Sequence, residues 1–166
     1  MNVRLCRLVI VVGLATTKMT LAADTRIDVS KIVDKAAAES ILEEPVNAPA
    51  PRNVEGSDGY YSKCNYYSTS GRKRLVLRVY QAAEGFDPQK ELEAVAETAG
   101  AMRAVSGLGD KARITSGVQA GLPSRVVMLY VVKGKSLVTI GISGVDDENI
   151  AADKIKGTAQ KIVSQL

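Results

Sequence analysis

Apolar positions along the chain recur at helical spacing in three places. Val29, Ile32, Val33, Ala36, Ala37 and Ile41 follow each other at three- and four-residue steps, which predicts a helix over Asp28–Glu44 that Pro45 stops. Asp87-Pro88 is an N-cap followed by a proline suited to the first turn. The helix it opens runs to about Met102, with Leu92, Val95, Ala96, Ala99 and Met102 on one side. Asp146 is expected to cap a last helix reaching Leu166, striped by Ile150, Ile155, Ala159, Ile162, Val163 and Leu166.

Between these stretches the pattern changes to strands. Tyr60–Ser68 and Lys73–Gln81 form a predicted hairpin through Thr69-Ser70-Gly71-Arg72. A second hairpin pairs Arg125–Lys133 with Ser136–Ser143 around Gly134, and a short strand is expected near Ala112–Ser116. Val46–Asp58 reads as a polar, proline-bearing loop. The order is α-β-β-α-β-β-β-α, an α+β domain whose sheet of about five strands is mainly antiparallel because its hairpin loops are short. In Arg125–Lys133 both parities are apolar: Val126, Met128, Tyr130 and Val132 against Val127, Leu129 and Val131. A strand apolar on both faces must be covered on both, so helices are expected on either side of the sheet.

Ahead of this domain stand a short start with Arg4 and Arg7, an apolar run Leu8–Ala15, and small polar residues to Ala23. That is the layout of a secretory signal peptide cleaved near Ala23, which makes residues 1–23 an address and 24–166 one domain. The apolar run falls well short of the roughly 20 residues of a stable transmembrane anchor. Export to the periplasm or the extracellular space is the implied localisation. Charge changes with it. The formal +4 of the whole chain includes Arg4, Arg7 and Lys18. Without those three, 19 basic residues face 18 acidic ones, a net of +1 that does not favour nucleic acid as partner.

The chain has no His and only two Cys. Imidazole catalysis and His-ligated metal sites are thereby excluded, and Cys64 is left as a lone buried thiol once Cys6 is removed. Several short motifs fail on context. Gly134-Lys135-Ser136 lacks the upstream glycine and the following helix of a phosphate loop. Gly107-Leu108-Gly109-Asp110-Lys111-Ala112 is expected to turn a helix into a strand, the reverse of a dinucleotide fingerprint. There Gly107 and Gly109 take positive φ, and Asp110 bonds nearby backbone N–H groups. Ser70-Gly71-Arg72-Lys73 has the serine–lysine spacing of penicillin-interacting hydrolases, but in a hairpin turn. Asp146-Asp147-Glu148 is helix-start charge. No cofactor or metal site and no catalytic residue is expected.

One constellation remains. Strand alternation puts Tyr61, Lys63, Tyr67, Arg74, Arg78 and Tyr80 on one face, opposite Leu75, Leu77 and Val79. Cations interleaved with aromatic rings suit an anionic or aromatic small ligand, or an envelope protein. The competing expectation is a solvated sheet face, or one lying under a helix.

Ser40-Ile41-Leu42-Glu43-Glu44-Pro45-Val46, Lys63-Cys64-Asn65-Tyr66, Ser106–Ala112, the Lys133-Gly134 hairpin turn and the closing helix together resemble a group of small exported bacterial domains of unknown function. These carry a C-x-Y strand and a G-L-G-D-x-A turn, and several are lipoproteins or extracellular sensor modules. The resemblance implies a PsbP-like α/β/α sandwich and a non-enzymatic, envelope-associated binding domain. This chain differs in lacking a lipobox. It also has Val33-Asp34-Lys35 where many relatives place a first-helix cysteine paired with the strand cysteine. The alternatives to a binding domain are a structural or assembly partner in an envelope complex and, less favoured, a His-free hydrolase using Asp/Glu.

Overall fold

The computed structural model describes residues 26–118 and 125–166; the expected signal peptide at 1–23 lies outside them. Among the described residues the elements are α1 (Val29–Ile32), α2 (Lys35–Leu42), β1 (Arg52–Glu55), β2 (Gly59–Tyr67), β3 (Arg74–Ala82), α3 (Pro88–Thr98), β4 (Arg103–Val105), β5 (Lys111–Val118), β6 (Arg125–Lys133), β7 (Ser136–Ser143) and α4 (Glu148–Val163). The fold is α+β, with one antiparallel sheet of seven strands in the order β1-β2-β3-β7-β6-β5-β4. After β3 the chain crosses one face as α3, starts again at the far edge with β4, and returns strand by strand until β7 meets β3.

Helices pack on both faces. On the inner face α1, α2 and α4 bury Val29, Leu42, Ile155 and Ile162 against Cys64, Tyr66, Leu75, Leu77, Leu129, Ile140 and Ile142. On the outer face α3 sets Leu92 among Tyr80, Tyr130, Val132 and Leu137. This two-sided cover is what the doubly apolar β6 required: Val127, Leu129 and Val131 face inward, while Val132 and Tyr130 face α3.

Several boundaries differ from expectation for identifiable reasons. Seven strands stand where about five were expected. The additional β1 lies inside the expected loop Val46–Asp58, and β4 lies just beyond the end of α3. Both are short edge strands with hardly any buried side chain, so no alternating apolar signal marks them. They exist because a neighbour offers a ladder. Ser62 Oγ also donates to Asn53 Oδ1 at 2.7 Å, fastening β1 to β2.

The first helix is two helices. Asp34 has extended backbone geometry and its carboxylate accepts from the N–H of Ala37 at 2.8 Å, so it starts α2 as an N-cap rather than continuing α1. The carbonyl of Val33, left over at the break, accepts from the buried Tyr66 hydroxyl. Lys154 Nζ donates to Ile41 O and Lys73 Nζ to Leu42 O, each at 2.8 Å, which places two cations at the C-terminal carbonyls of α2. α3 ends at Thr98 instead of Met102. The cap of α4 is Asp147, one residue after Asp146, with its carboxylate accepting from Asn149 and Ile150 N–H.

The Gly107–Asp110 turn joins β4 to β5, so it links two strands and does not reverse a helix into a strand. Gly107 and Gly109 have φ of +73° and +63°. Asp110 bonds outside its own turn. Its N–H donates to Val132 O and its carboxylate accepts from Gly134 N–H, both at 2.7 Å, stitching this turn to the β6–β7 hairpin. Among the described residues no helix is long and apolar enough to cross a membrane.

Candidate functional site

Residues directly opposite in antiparallel strands project to the same face. On the outer face this register builds rows that run across the sheet. The first row reads Arg52, Lys63, Arg78, Thr139, Tyr130, Arg113 from β1 to β5. On one side of it runs Tyr61, Tyr80, Leu137, Val132. On the other side come Asn65, Val76, Gly141, Met128 and then Tyr67, Arg74, Ser143, Val126. The six residues singled out from strand parity therefore do share one face.

They do not share one environment. α3 roofs the end of the sheet from which β3 emerges, because the chain turns back at Asp87-Pro88. Tyr80 is only 5% exposed and packs with Leu92 in the outer core, at the edge of the cleft beneath α3. Tyr61 stacks on it with ring centroids 4.7 Å apart and planes 21° from parallel. The Tyr80 hydroxyl donates to the backbone carbonyl of Asp58 at 2.8 Å, and the Tyr61 hydroxyl donates to the Asp58 carboxylate. Burial, reinforced by Asp58, pushes both phenols above their ordinary pKa, so they stay neutral donors. These two rings hold the loop before β2 and the underside of α3.

Tyr61, Lys63 and Arg74 are half-buried, and Tyr67 and Arg78 are exposed. Tyr67 is 41% exposed, and the Arg74 guanidinium lies 4.8 Å from its ring centroid, a cation–π pair. Lys63 and Arg78 stand opposite one another, with Arg52 beyond Lys63. Among the described residues, none of Arg52, Lys63, Arg74 and Arg78 has a carboxylate partner within 4.0 Å. Like charges directly opposite in a sheet are destabilising, so this row carries a repulsion that the fold itself does not neutralise.

The face is also concave. A cleft of about 270 Å³ separates α3 from the sheet and is lined by Val76, Arg78, Val95, Met128, Tyr130 and Thr139, among others. A smaller depression of about 160 Å³ continues from it toward Arg74 over Gly141. A third, of about 270 Å³, lies among Ala48, Ala50, Arg52, Lys63, Asn65 and Tyr67. In that last one Asn65 Oδ1 is buried without a hydrogen-bond partner among the described residues, while Nδ2 donates to the Tyr67 hydroxyl at 3.2 Å. A further depression, of about 480 Å³, is at the edge of the domain where Arg26, Tyr60, Lys135 and Leu166 meet. The Gly134-Lys135-Ser136 segment there joins two strands with no helix behind it.

Arg52, Asn65, Thr139 and Tyr130 belong to the same surface and were not singled out from sequence. Arg52 fell in the expected loop. Asn65 has the parity of Lys63 and Tyr67. Thr139 was visible as a hydroxyl in the weaker parity of Ser136–Ser143, whose other parity holds Val138, Ile140 and Ile142. The groups assembled on this face are cations, hydroxyls and an amide, all able to donate hydrogen bonds to an anion. Gly107, Gly109 and Asp110 lie apart from it, in the turn bonded to Gly134. No protein-family model matches the chain, and no curated protein matches it in sequence.

Proposed function

We propose that this chain is an exported, non-catalytic ligand- or protein-binding domain of the bacterial envelope, and that it binds through the outer face of the sheet. The observation that carries this reading is the set Arg52, Lys63, Arg74 and Arg78, co-facial and without a carboxylate partner among the described residues. Such a face gains stability when a bound anion supplies the missing counter-charge. Helices on both faces of the sheet agree with the PsbP-like α/β/α sandwich that the short motifs suggest, and that resemblance supports a binding role over a catalytic one. Among the described residues that line the cleft, Glu91 is the one acid.

The test is affinity capture from envelope extract with the wild type and with an Arg74→Glu/Arg78→Glu double variant. Partners held by the wild type should be lost from the variant while its circular dichroism spectrum is unchanged. Equal recovery by both proteins would refute the assignment of this face. Intact mass of the exported form should correspond to a chain starting at Asp24 or Ala23; a full-length product retained in the cytosol would sink the export reading.

A further inference from the structure

Arg78, Thr139 and Tyr130 lie side by side on β3, β7 and β6. Adjacent strands are about 4.8 Å apart, so the three side chains rise from a span of roughly 10 Å and can meet above Thr139. None of the three makes a side-chain hydrogen bond or ion pair among the described residues, although all three line the same cleft. Around them, Glu91 aside, the walls are apolar: Val76, Met128 and Leu137 from the sheet, Val95 from α3. A few convergent donors in an otherwise apolar cleft are the ordinary make-up of a small-molecule site. A guanidinium beside two hydroxyls matches a carboxylate, since arginine takes both oxygens in a fork and each hydroxyl adds a donor. Glu91, on the α3 wall, also lacks an ion pair among the described residues and disfavours a second negative charge on the ligand. The cleft's volume of about 270 Å³ fits a small molecule better than a polypeptide segment.

We infer that this cleft binds a small amphiphilic monocarboxylate, with the carboxylate on Arg78, Thr139 and Tyr130 and the apolar body over Val76 and Met128 against Val95. The inference rests on the reading of the chain as a binding domain and names the ligand class of that face. It confines the small-molecule site to the α3 side. Arg74 lies four residues along β3 from Arg78, about 13 Å away, and takes no part.

The experiment is a ¹H–¹⁵N titration of the protein with octanoate, with octanol and octanedioate as charge controls. Octanoate should shift the amides of Arg78, Thr139, Tyr130 and Val95, octanol should shift them far less, and octanedioate should bind more weakly than octanoate. Arg78→Met, which keeps the aliphatic stem, should weaken octanoate at least tenfold. Tyr130→Phe should weaken it several-fold, and Arg74→Met should leave it unchanged. No shift with octanoate, shifts centred on Lys63 and Tyr67, equal affinity for octanol or octanedioate, or full affinity in Arg78→Met would each overturn the inference. Partner loss in the Arg74→Glu/Arg78→Glu variant, together with silence toward octanoate, would overturn this inference and leave the broader function standing. Octanoate binding with undiminished partner capture would leave this inference standing and refute only the use of the face as a protein-docking surface.

Discussion

Replacing Gly109 with alanine tests how the turn between β4 and β5 is built, and Gly107, two residues earlier, provides the control. Both glycines hold positive φ. A Cβ at Gly107 would enter open space, so Gly107→Ala carries only the cost of a left-handed backbone, about 1–2 kcal/mol. A Cβ at Gly109 would stand 2.5 Å from Val131 Cγ1 and 2.5 Å from the carbonyl oxygen of Val132. Neither neighbour can step aside easily. Val131 is fully buried, and the Val132 carbonyl already accepts from the Asp110 N–H. Overpacking of this kind adds about 1–3 kcal/mol, for a total of about 2–5 kcal/mol at Gly109. Urea unfolding of the two variants, followed by far-ultraviolet circular dichroism, measures the difference directly. Melting should agree, with Gly109→Ala lying below Gly107→Ala by about 2–4 °C for every extra kcal/mol. Equal midpoints for the two variants would refute the reasoning, because the left-handed backbone would then account for the whole effect.

Three further outcomes are expected. Cys64 is fully buried and burial pushes its thiol pKa up, so a thiol reagent should label it only as fast as the protein unfolds; rapid stoichiometric labelling of the native protein would contradict this. Tyr66→Phe removes the bond to the Val33 carbonyl at the α1–α2 break and should cost about 1–3 kcal/mol by chemical denaturation, because a buried acceptor is left unmet; an unchanged midpoint would mean water reaches that carbonyl. The Gly134 N–H, with Lys133 beside it, holds the Asp110 carboxyl below its ordinary value of 3.8. A folded-state pKa that is lowered gives stability present above 3.8 and lost as the pH falls through the lowered value. Asp110→Asn should therefore shallow the acid limb of the stability–pH curve, and an identical limb in the variant would count against the bond.

Elements defined by their own buried pattern were legible in the sequence. β2, β3, β6 and β7 each carry an alternating or doubly apolar run, and Asp87-Pro88 marks the start of α3 by local chemistry alone. β1 and β4 were not legible, because an edge strand that buries almost nothing leaves no trace in hydrophobicity and owes its shape to the strand beside it. The break at Val33-Asp34 was hidden for a different reason. The apolar spacing runs straight through it, and only the capping bond of Asp34 separates the two helices. For the candidate site, parity was enough to put Tyr61 through Tyr80 on one face. It could not show that Leu92 lands on Tyr80 while Arg78, two residues away, stays exposed. That depends on where α3 crosses the sheet, a tertiary fact that no periodicity encodes.

The tyrosines give the protein an optical property of its own. The chain has six tyrosines and no tryptophan, and every one of the six lies on a strand: Tyr60, Tyr61, Tyr66 and Tyr67 on β2, Tyr80 on β3 and Tyr130 on β6. Its near-ultraviolet spectrum is therefore a signal from the sheet, with the helices silent. Stacking of Tyr61 on Tyr80 couples their transition dipoles, and Leu92 of α3 holds that pair in place from above. Should α3 lift while the backbone stays folded, the coupled signal would fade with the far-ultraviolet spectrum unaltered. Opening of the cleft can thus be followed in the native chain without a dye or an engineered probe.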